Sequence, residues 1–183
     1  MAHKPRKKSV LPQQLELALQ WAKDMDKEVK IIEAETADSR RVPVLQVFHG
    51  KRWVIVSAKA SSVSVVVPLK IPESARKKIT KLPDNIQEKA IFMHRQQLLS
   101  YGRIGYILTP LGVRKLGDVE GVLIEEVLRL SPREYSTFNR FADAVQEVIT
   151  AGVWVLHFIG GMSSGEEPAE SVDSSEAVNV MYV

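Results

Sequence analysis

The chain has 183 residues, of which 45% are hydrophobic and 26% charged, a size and composition typical of one globular domain with a buried core. It contains no Cys, which excludes disulfide frameworks and thiolate metal sites, and its scarcity of Asn is typical of proteins from thermophiles. The net charge of +3 is uneven, because four positive charges fall in the first eight residues and five negative charges fall after Gly160.

The first part of the chain predicts one helix followed by a series of strands. Apolar residues spaced by three or four positions predict an amphipathic helix over Leu11–Met25. Four runs rich in β-branched residues then predict strands at Val29–Thr36, Val42–Phe48, Trp53–Ser57 and Val63–Leu69. The polar connections between them are only a few residues long, and connections that short join antiparallel neighbours. We therefore expect an antiparallel meander.

The middle of the chain predicts a second helix and two further strands. The basic stretch Glu73–Lys81 is compatible with either a short helix or an irregular connection. A helix is expected to begin at Asp84, whose side chain can cap free amides while Gln87 reaches back. Two strands follow in the prediction, at Ile104–Leu108 and Leu116–Leu130.

The last predicted element is a long helix. Ser131–Glu134 forms a capping box with Pro at the first helical position, and Gly160-Gly161 is typical of a helix end. The side of this helix expected to face the core carries Phe138, Ala142, Val145, Ile149, Val153 and Leu156.

The domain organisation follows from these elements. We expect a basic, flexible arm over residues 1–10, a single α+β domain over residues 11–161, and an acidic, disordered tail over residues 162–183. The basic start runs directly into a polar segment, so no signal peptide is expected. The longest apolar run, Val148–Gly161, is shorter than the ~20 residues of a membrane-spanning helix, and we expect a soluble, cytoplasmic protein.

The order of these elements resembles the type III secretion chaperone-like superfamily, and most closely its uncharacterised archaeal-type members. The residues that carry the resemblance are Leu11–Met25 leading into Val29–Thr36, the paired runs Val44–Phe48 and Trp53–Val56, and Ser131–Glu134 ahead of Phe138–Ile159. The resemblance implies a protein-binding scaffold without a catalytic motif. The chain departs from the secretion chaperones in its basic core and in the additional strand Val63–Leu69.

The sequence carries no recognisable catalytic or metal-binding motif. The four His residues lack the spacing of metal ligands, and no phosphate-binding loop or nucleophile elbow is present. The adjacent carboxylates of Glu125 and Glu126 are expected on opposite faces of a strand, where they cannot act as a pair. We therefore expect a protein without enzymatic activity, cofactor or metal.

Two basic regions are candidate contacts for anions or nucleic acid. Arg40, Arg41, Lys51 and Arg52 lie in predicted turns, which we expect at one end of the meander beside Phe48 and Trp53. Such a patch could hold phosphates and stack bases, but solvated turns and core aromatic residues explain the same pattern. The same two interpretations apply to the basic arm and to the run Arg76, Lys77 and Lys78.

Two apolar features are candidate protein contacts. The last helix carries apolar residues outside its expected core-facing side, and these must be covered by the N-terminal helix or by a second subunit. They are Val148, Trp154, Val155 and Phe158. The C-terminal segment Ala177–Val183 favours an extended conformation and could dock on a sheet edge, although a frayed terminus explains it equally.

The leading hypothesis is a non-catalytic, dimeric interaction module that binds a protein segment through a sheet edge or an apolar groove. The alternative is a protein that binds nucleic acid through its basic turns and N-terminal arm.

Overall fold

The chain folds into an α+β arrangement in which runs of strands are separated by helices, as the sequence predicts. The computed structural model describes residues 11–36, 39–99, 103–130 and 138–164. The elements in chain order are α1 (Gln13–Asp24), β1 (Val29–Glu35), β2 (Arg41–His49), β3 (Arg52–Lys59), β4 (Ser62–Lys70), α2 (Glu73–Ile79), α3 (Asp84–Leu99), β5 (Ile104–Thr109), a 3₁₀ turn (Leu116–Asp118), β6 (Gly121–Arg129) and α4 (Phe138–Ser164).

The strands form one antiparallel sheet in the order β1-β2-β3-β4-β6-β5. The first four strands are the predicted meander, and β6 then pairs with β4 along its whole length, from Ser62 opposite Arg129 to Lys70 opposite Gly121. In the β5–β6 pair, the later strand, β6, therefore joins the meander, and the earlier strand, β5, becomes an edge of the sheet. The two edges of the sheet are β1 and β5.

The main core lies between one face of the sheet and the helices. Alternate residues of each strand point to this face, as the strand period of two requires. Val56 and Val65 from adjacent strands are fully buried there, together with Leu15 of α1 and Phe141 of α4. Contacts of α1 fall on β1–β4 and those of α4 on β3, β4 and β6, so the two helices share this face.

A smaller apolar cluster occupies the other face of the sheet. Its buried members are Ala34, Val44, Trp53 and Ile55, and all of them come from β1, β2 and β3. The partly buried residues that pack against them also come from β1 and β2. No helical residue takes part in this cluster among the described residues.

The structure corrects the predicted limits and core face of α4. The helix continues through Gly160-Gly161 to Ser164, so Met162 and Ser163 are helical and do not begin a tail. The buried side includes Val145 and Ile149, as predicted, but Phe138, Ala142, Val153 and Leu156 are only partly buried. The other buried residues of α4 are Phe141, Ala144, Val148, Ala151, Gly152, Val155 and Ile159. Periodicity could not fix this face because apolar residues surround much of the helix.

Two connections also differ from the prediction. The stretch Glu73–Ile79, for which two interpretations were open, is the helix α2, and its last residue is fully buried. The predicted strand Leu116–Leu130 begins only at Gly121, because a 3₁₀ turn precedes it. Gln87 accepts a hydrogen bond from the main-chain N–H of Gly117 at 3.0 Å and donates one to the carbonyl of Leu82 at 2.8 Å. The turn is thus tied to α3, and Gln87 does not cap its own helix.

By length and composition α4 could cross a membrane. In the fold it packs on the sheet, and it lies close to β4 at Gly152, where a Cβ would lie 3.2 Å from Val67 Cγ1. Its buried side therefore forms part of the main core. The predicted capping box Ser131–Glu134, the basic arm 1–10 and the rest of the predicted tail lie outside the described residues.

Candidate protein-binding surface

The two edge strands of the sheet differ in charge. Charged side chains on an edge strand discourage further strand pairing. The edge strand β1 carries Lys30, Glu33 and Glu35, and Arg41 Nη1 approaches Glu33 Oε2 to 4.0 Å. In contrast, β5 has the sequence Ile-Gly-Tyr-Ile-Leu-Thr and no charged residue. Among the described residues, β5 therefore lacks the charged side chains that β1 carries.

Most of the exposed large apolar side chains of the described residues belong to β5 or to the elements next to it. Five of the eight belong to α3, to β5 or to the turn that follows β5. We call these five residues the α3–β5 surface: Ile86 (43% exposed), Phe92 (59%), Met93 (52%), Ile107 (41%) and Leu111 (70%). Single exposed apolar residues are normal on soluble proteins, but a concentration around one edge strand is characteristic of an interaction site.

The α3–β5 surface reaches both faces of the sheet at this edge. Tyr106 pairs with Ile124, which belongs to the main core, so Tyr106 lies on the helix face and Ile107 lies on the opposite face. α3 packs against β5 on the helix face and presents Met93 and Phe92 outside that contact. A strand added beside β5 would thus meet Ile107 on one face of the sheet and the α3 side on the other.

A group of aromatic rings fixes α3 in this position. His94 is almost fully buried, and its ring lies 5.3 Å from that of Trp154, 5.5 Å from that of Phe158 and 5.7 Å from that of Tyr106. The rings of Trp154 and Phe158 stack at 5.3 Å. Through His94 the C-terminal part of α4 holds α3 over β5, so the exposed side chains of α3 sit on a supported helix.

The predicted basic patch is divided by the fold. Arg41 begins β2 and His49 ends it, so the turn with Arg40 and the turn with Lys51 lie at opposite ends of a nine-residue strand. At roughly 3.3 Å per residue the two turns are separated by about 25 Å. The expectation that Arg40, Arg41, Lys51 and Arg52 share one end of the meander is therefore wrong, because consecutive turns of a meander alternate between its ends.

The other predicted basic residues and the aromatic neighbours are largely engaged. Arg76 lies 3.4 Å from Glu120, and Lys77 lies 2.7 Å from Glu73, while Lys78 follows them on α2. Trp53 is only 6% exposed within the smaller apolar cluster, so it is not positioned to stack on a base. Lys30 Nζ covers the ring of Phe48 at 4.7 Å.

The predicted partner face on α4 is mostly internal. Val148 is fully buried and Val155 nearly so, and both belong to the main core. The prediction that Val148 and Val155 lie on an external face is therefore wrong, because both residues are on the buried side of α4. Trp154 and Phe158 are partly buried under His94 of α3, so an element of the same chain already covers part of them.

Sequence reasoning did not single out the α3–β5 surface. A usable signal was present in α3, where Ile91, Phe92 and Met93 are consecutive and cannot all face one core. The absence of charge from Ile104–Thr109 was a second signal, although the sequence does not show which strand becomes an edge. Within the described residues, no three His, Asp or Glu side chains come together as metal ligands would.

In the part of the chain that the structure describes, the fold defines an α+β domain whose uncharged edge strand β5 lies beside a helix with exposed apolar residues. No family model and no curated protein matches the chain. Its fold is similar to that of an uncharacterized protein from Methanothermobacter thermautotrophicus, with a TM-score of 0.64 and 12% identity, covering 82% of this chain and 99% of that chain. At this identity the similarity concerns the fold alone.

Proposed function

We propose that this chain is a non-catalytic, cytoplasmic protein-interaction module that binds an extended apolar segment of a partner protein along the outer edge of β5. The observation that carries the proposal is the coincidence of an uncharged edge strand with exposed apolar side chains on that strand, on the helix packed against it and in the turn after it. The resemblance to chaperone-like proteins noted from the order of elements agrees with this class of function. A cysteine-free chain is also suited to a reducing compartment.

The binding mode is addition of a strand to the sheet. Outward main-chain N–H and C=O groups of β5 would pair with the segment, which gives affinity without sequence selectivity. Selectivity would come from the side chains, with one row meeting Ile107 and the other meeting Met93 and Phe92 of α3. Covering such side chains is worth about 25 cal/mol per Å² of apolar surface removed from water.

The test uses a defined probe and two matched variants. Phage-displayed random heptapeptides are selected on the full chain, and the enriched peptides are synthesised and measured by fluorescence anisotropy. Ile107→Lys places a charge on the β5 edge, whereas Ile31→Lys places one on β1, where the native side chain is 53% exposed. We expect peptides with alternating apolar residues, an affinity reduced at least roughly tenfold by Ile107→Lys, and no effect of Ile31→Lys.

Two results would overturn the proposal. One is the failure of any heptapeptide to be enriched above a blank surface. The other is equal binding to the Ile107→Lys variant and to the unmodified chain. Sedimentation velocity distinguishes a foreign segment from a second copy of the chain. If the unmodified chain is a dimer and Ile107→Lys makes it a monomer, the partner at this edge is a second copy and not a foreign segment.

A second candidate function is binding of nucleic acid at the end of the sheet that holds the β2–β3 turn. The pKa of His49 is lowered by burial and by the nearby charges of Lys27 and Arg52, so positive charge is concentrated at this end. β3 begins and β4 ends there, and α2 with Lys78 follows β4 directly. This concentration of cations favours contact with phosphates.

The division of the basic turns makes this second candidate testable by position. Retention on heparin and on a generic oligonucleotide is measured for Lys51→Glu/Arg52→Glu and for the control pair Arg40→Glu/Arg41→Glu. If phosphates bind at the β2–β3 turn, only the first pair reduces the salt concentration needed for elution. Equal reduction by both pairs indicates a nonspecific effect of net charge, and that result removes this candidate.

A further inference from the structure

We propose that the C-terminal segment Ala177–Val183 of this chain is the resident occupant of the outer edge of β5 and competes there with the partner segment. The inference rests on the proposed function, since it assigns a regulation to the same edge. Three observations support the inference: the position at which α4 ends, the length and sequence of the chain after α4, and the charges that flank β5.

The chain leaves the described fold close to β5. Phe158 contacts His94, and His94 contacts Tyr106 of β5, so a single residue separates the last turns of α4 from the edge strand. The helix ends at Ser164, six residues after Phe158, which corresponds to about 9 Å along its axis. Met162 still packs against the main core, so the end of α4 remains attached to the domain.

The remaining chain has the length and sequence for this role. Residues 165–176 form a spacer rich in Ser, Glu and Gly, which at about 3.3 Å per residue spans up to roughly 40 Å. The segment Ala177–Val183 that follows has no charged side chain and no Pro or Gly, and its Val178, Val180 and Tyr182 alternate in the period of a strand. A tethered segment reaches an effective concentration in the millimolar range, so even weak pairing would be populated.

Charges at the edge agree with this occupant. The spacer carries five carboxylates, at Glu166, Glu167, Glu170, Asp173 and Glu176. Arg103 immediately precedes β5 and also lies near the carboxylate of Glu126, and Arg114 follows the turn after β5 in the sequence. Lys115 is already engaged by Asp84 at 2.6 Å and does not contribute. The acidic spacer would be attracted to these arginines, whereas β1 at the other edge carries two carboxylates, Glu33 and Glu35, and one cation, Lys30.

The absence of Cys allows docking to be measured directly in the full chain. Ile107→Cys is combined in turn with Val178→Cys, Val180→Cys and Tyr182→Cys, and the control series combines Ile31→Cys with the same three positions. Disulfide formation is followed by mass spectrometry in dilute protein under mild oxidation. We expect the best Ile107 pair to close at least roughly tenfold faster than any Ile31 pair, with the mass of a single chain. Equal rates at both edges would overturn the inference, and so would a disulfide between two chains.

Competition is measured with the selected heptapeptides and the full chain. The variant Val178→Asp/Val180→Asp/Tyr182→Asp should bind them roughly tenfold more tightly if the segment occupies the edge nine-tenths of the time. The control Ser171→Asp/Ser174→Asp/Ser175→Asp adds the same charge within the spacer and should not tighten binding. No difference between the Val178 triple variant and the unmodified chain would overturn the competition.

The two proposals fail in distinguishable ways. If heptapeptides bind at Ile107 but the Cys pairs close equally at both edges, the inference fails and the proposed function stands. If the Ile107 pairs close selectively while no heptapeptide binds even the Val178→Asp/Val180→Asp/Tyr182→Asp variant, docking stands and the proposed function fails.

Discussion

Glu125 and Glu126 are neighbours in β6 and face opposite sides of the sheet, in opposite electrostatic surroundings. Glu125 accepts hydrogen bonds from Ser64 and from Lys59 Nζ, the latter at 2.6 Å. Glu126 lies on the helix face, is 2% exposed, and has Arg140 Nη2 at 3.9 Å from one oxygen. Its other oxygen has no hydrogen-bond partner among the described residues. The prediction that the two carboxylates cannot act as a pair agrees with this geometry.

Replacing Glu126 by Gln should stabilise the protein at neutral pH. Burial raises the pKa of Glu126, Glu147 and Asp143 raise it further, and Arg140 and Arg103 lower it only in part. The folded state therefore retains a proton that the unfolded state releases, so stability falls as the pH rises above the ordinary value of 4.5. In urea titrations we expect Glu126→Gln to gain on the order of 1 kcal/mol at about pH 7 and little at about pH 4. A loss of stability at neutral pH would contradict this assignment.

Replacing Glu125 by Gln should have the opposite effect. Burial alone would raise the pKa of Glu125, but hydrogen bonds from Lys59 and Ser64 outweigh it and lower the pKa below its usual value. The ionised form thus stabilises the folded state above the ordinary value of 4.5, and that stability is lost as the pH falls through the lowered pKa. In urea titrations at about pH 7 we expect Glu125→Gln to lower the free energy of unfolding by on the order of 1 kcal/mol. Each variant is the control for the other. If both changed the free energy of unfolding in the same direction, the charges near each carboxylate would not determine the effect.

The strands could be predicted because β-branched runs and short polar turns are local signals. The same signals also place the basic residues, because consecutive turns of a meander lie at alternate ends of the sheet, which separates Arg41 from Lys51. The face of α4 could not be predicted, since Val148 and Val153 are equally apolar and only packing on the sheet buries the first. The helix also continues past Gly160, because the packing of Met162 against the core outweighs the tendency of glycine to end a helix.

The candidate surface depends on topology, which is why local patterns did not reveal it. Whether Ile107 is exposed depends on β6 entering the sheet beside β4 and leaving β5 outside, and nothing within β5 specifies that order. The exposure of Met93 depends in turn on His94 being held by Trp154 and Phe158 of a distant helix.

Gly121 and Gly105 should differ sharply in their tolerance of Ala, although both are in strands. A Cβ at Gly121 would lie 2.9 Å from the main-chain oxygen of Leu69, and the paired strand cannot move away without breaking its register. A Cβ at Gly105 would lie 3.7 Å from the nearest atom, the main-chain oxygen of Glu125, which is an ordinary contact. By thermal unfolding we expect Gly121→Ala to lose about 1–3 kcal/mol and Gly105→Ala to be neutral or to gain about 0.5 kcal/mol. Similar stabilities of the two variants would show that the strands are not packed in this register.

Replacing Trp154 by Asp should destabilise the single chain, whatever its state of association. The ring of Trp154 stacks on Phe158 and contacts His94, so the substitution removes two ring contacts and places a carboxylate against apolar groups. We expect a loss of about 2–4 kcal/mol in urea unfolding, because packing is lost and a charge is partly desolvated. His157→Asp is the matched control, since this neighbour on the same helix is exposed and its change should cost less than about 0.5 kcal/mol. If Trp154→Asp instead kept the full stability of the chain and only converted a dimer to monomers in sedimentation velocity, Trp154 would belong to a contact between subunits, as the sequence first suggested.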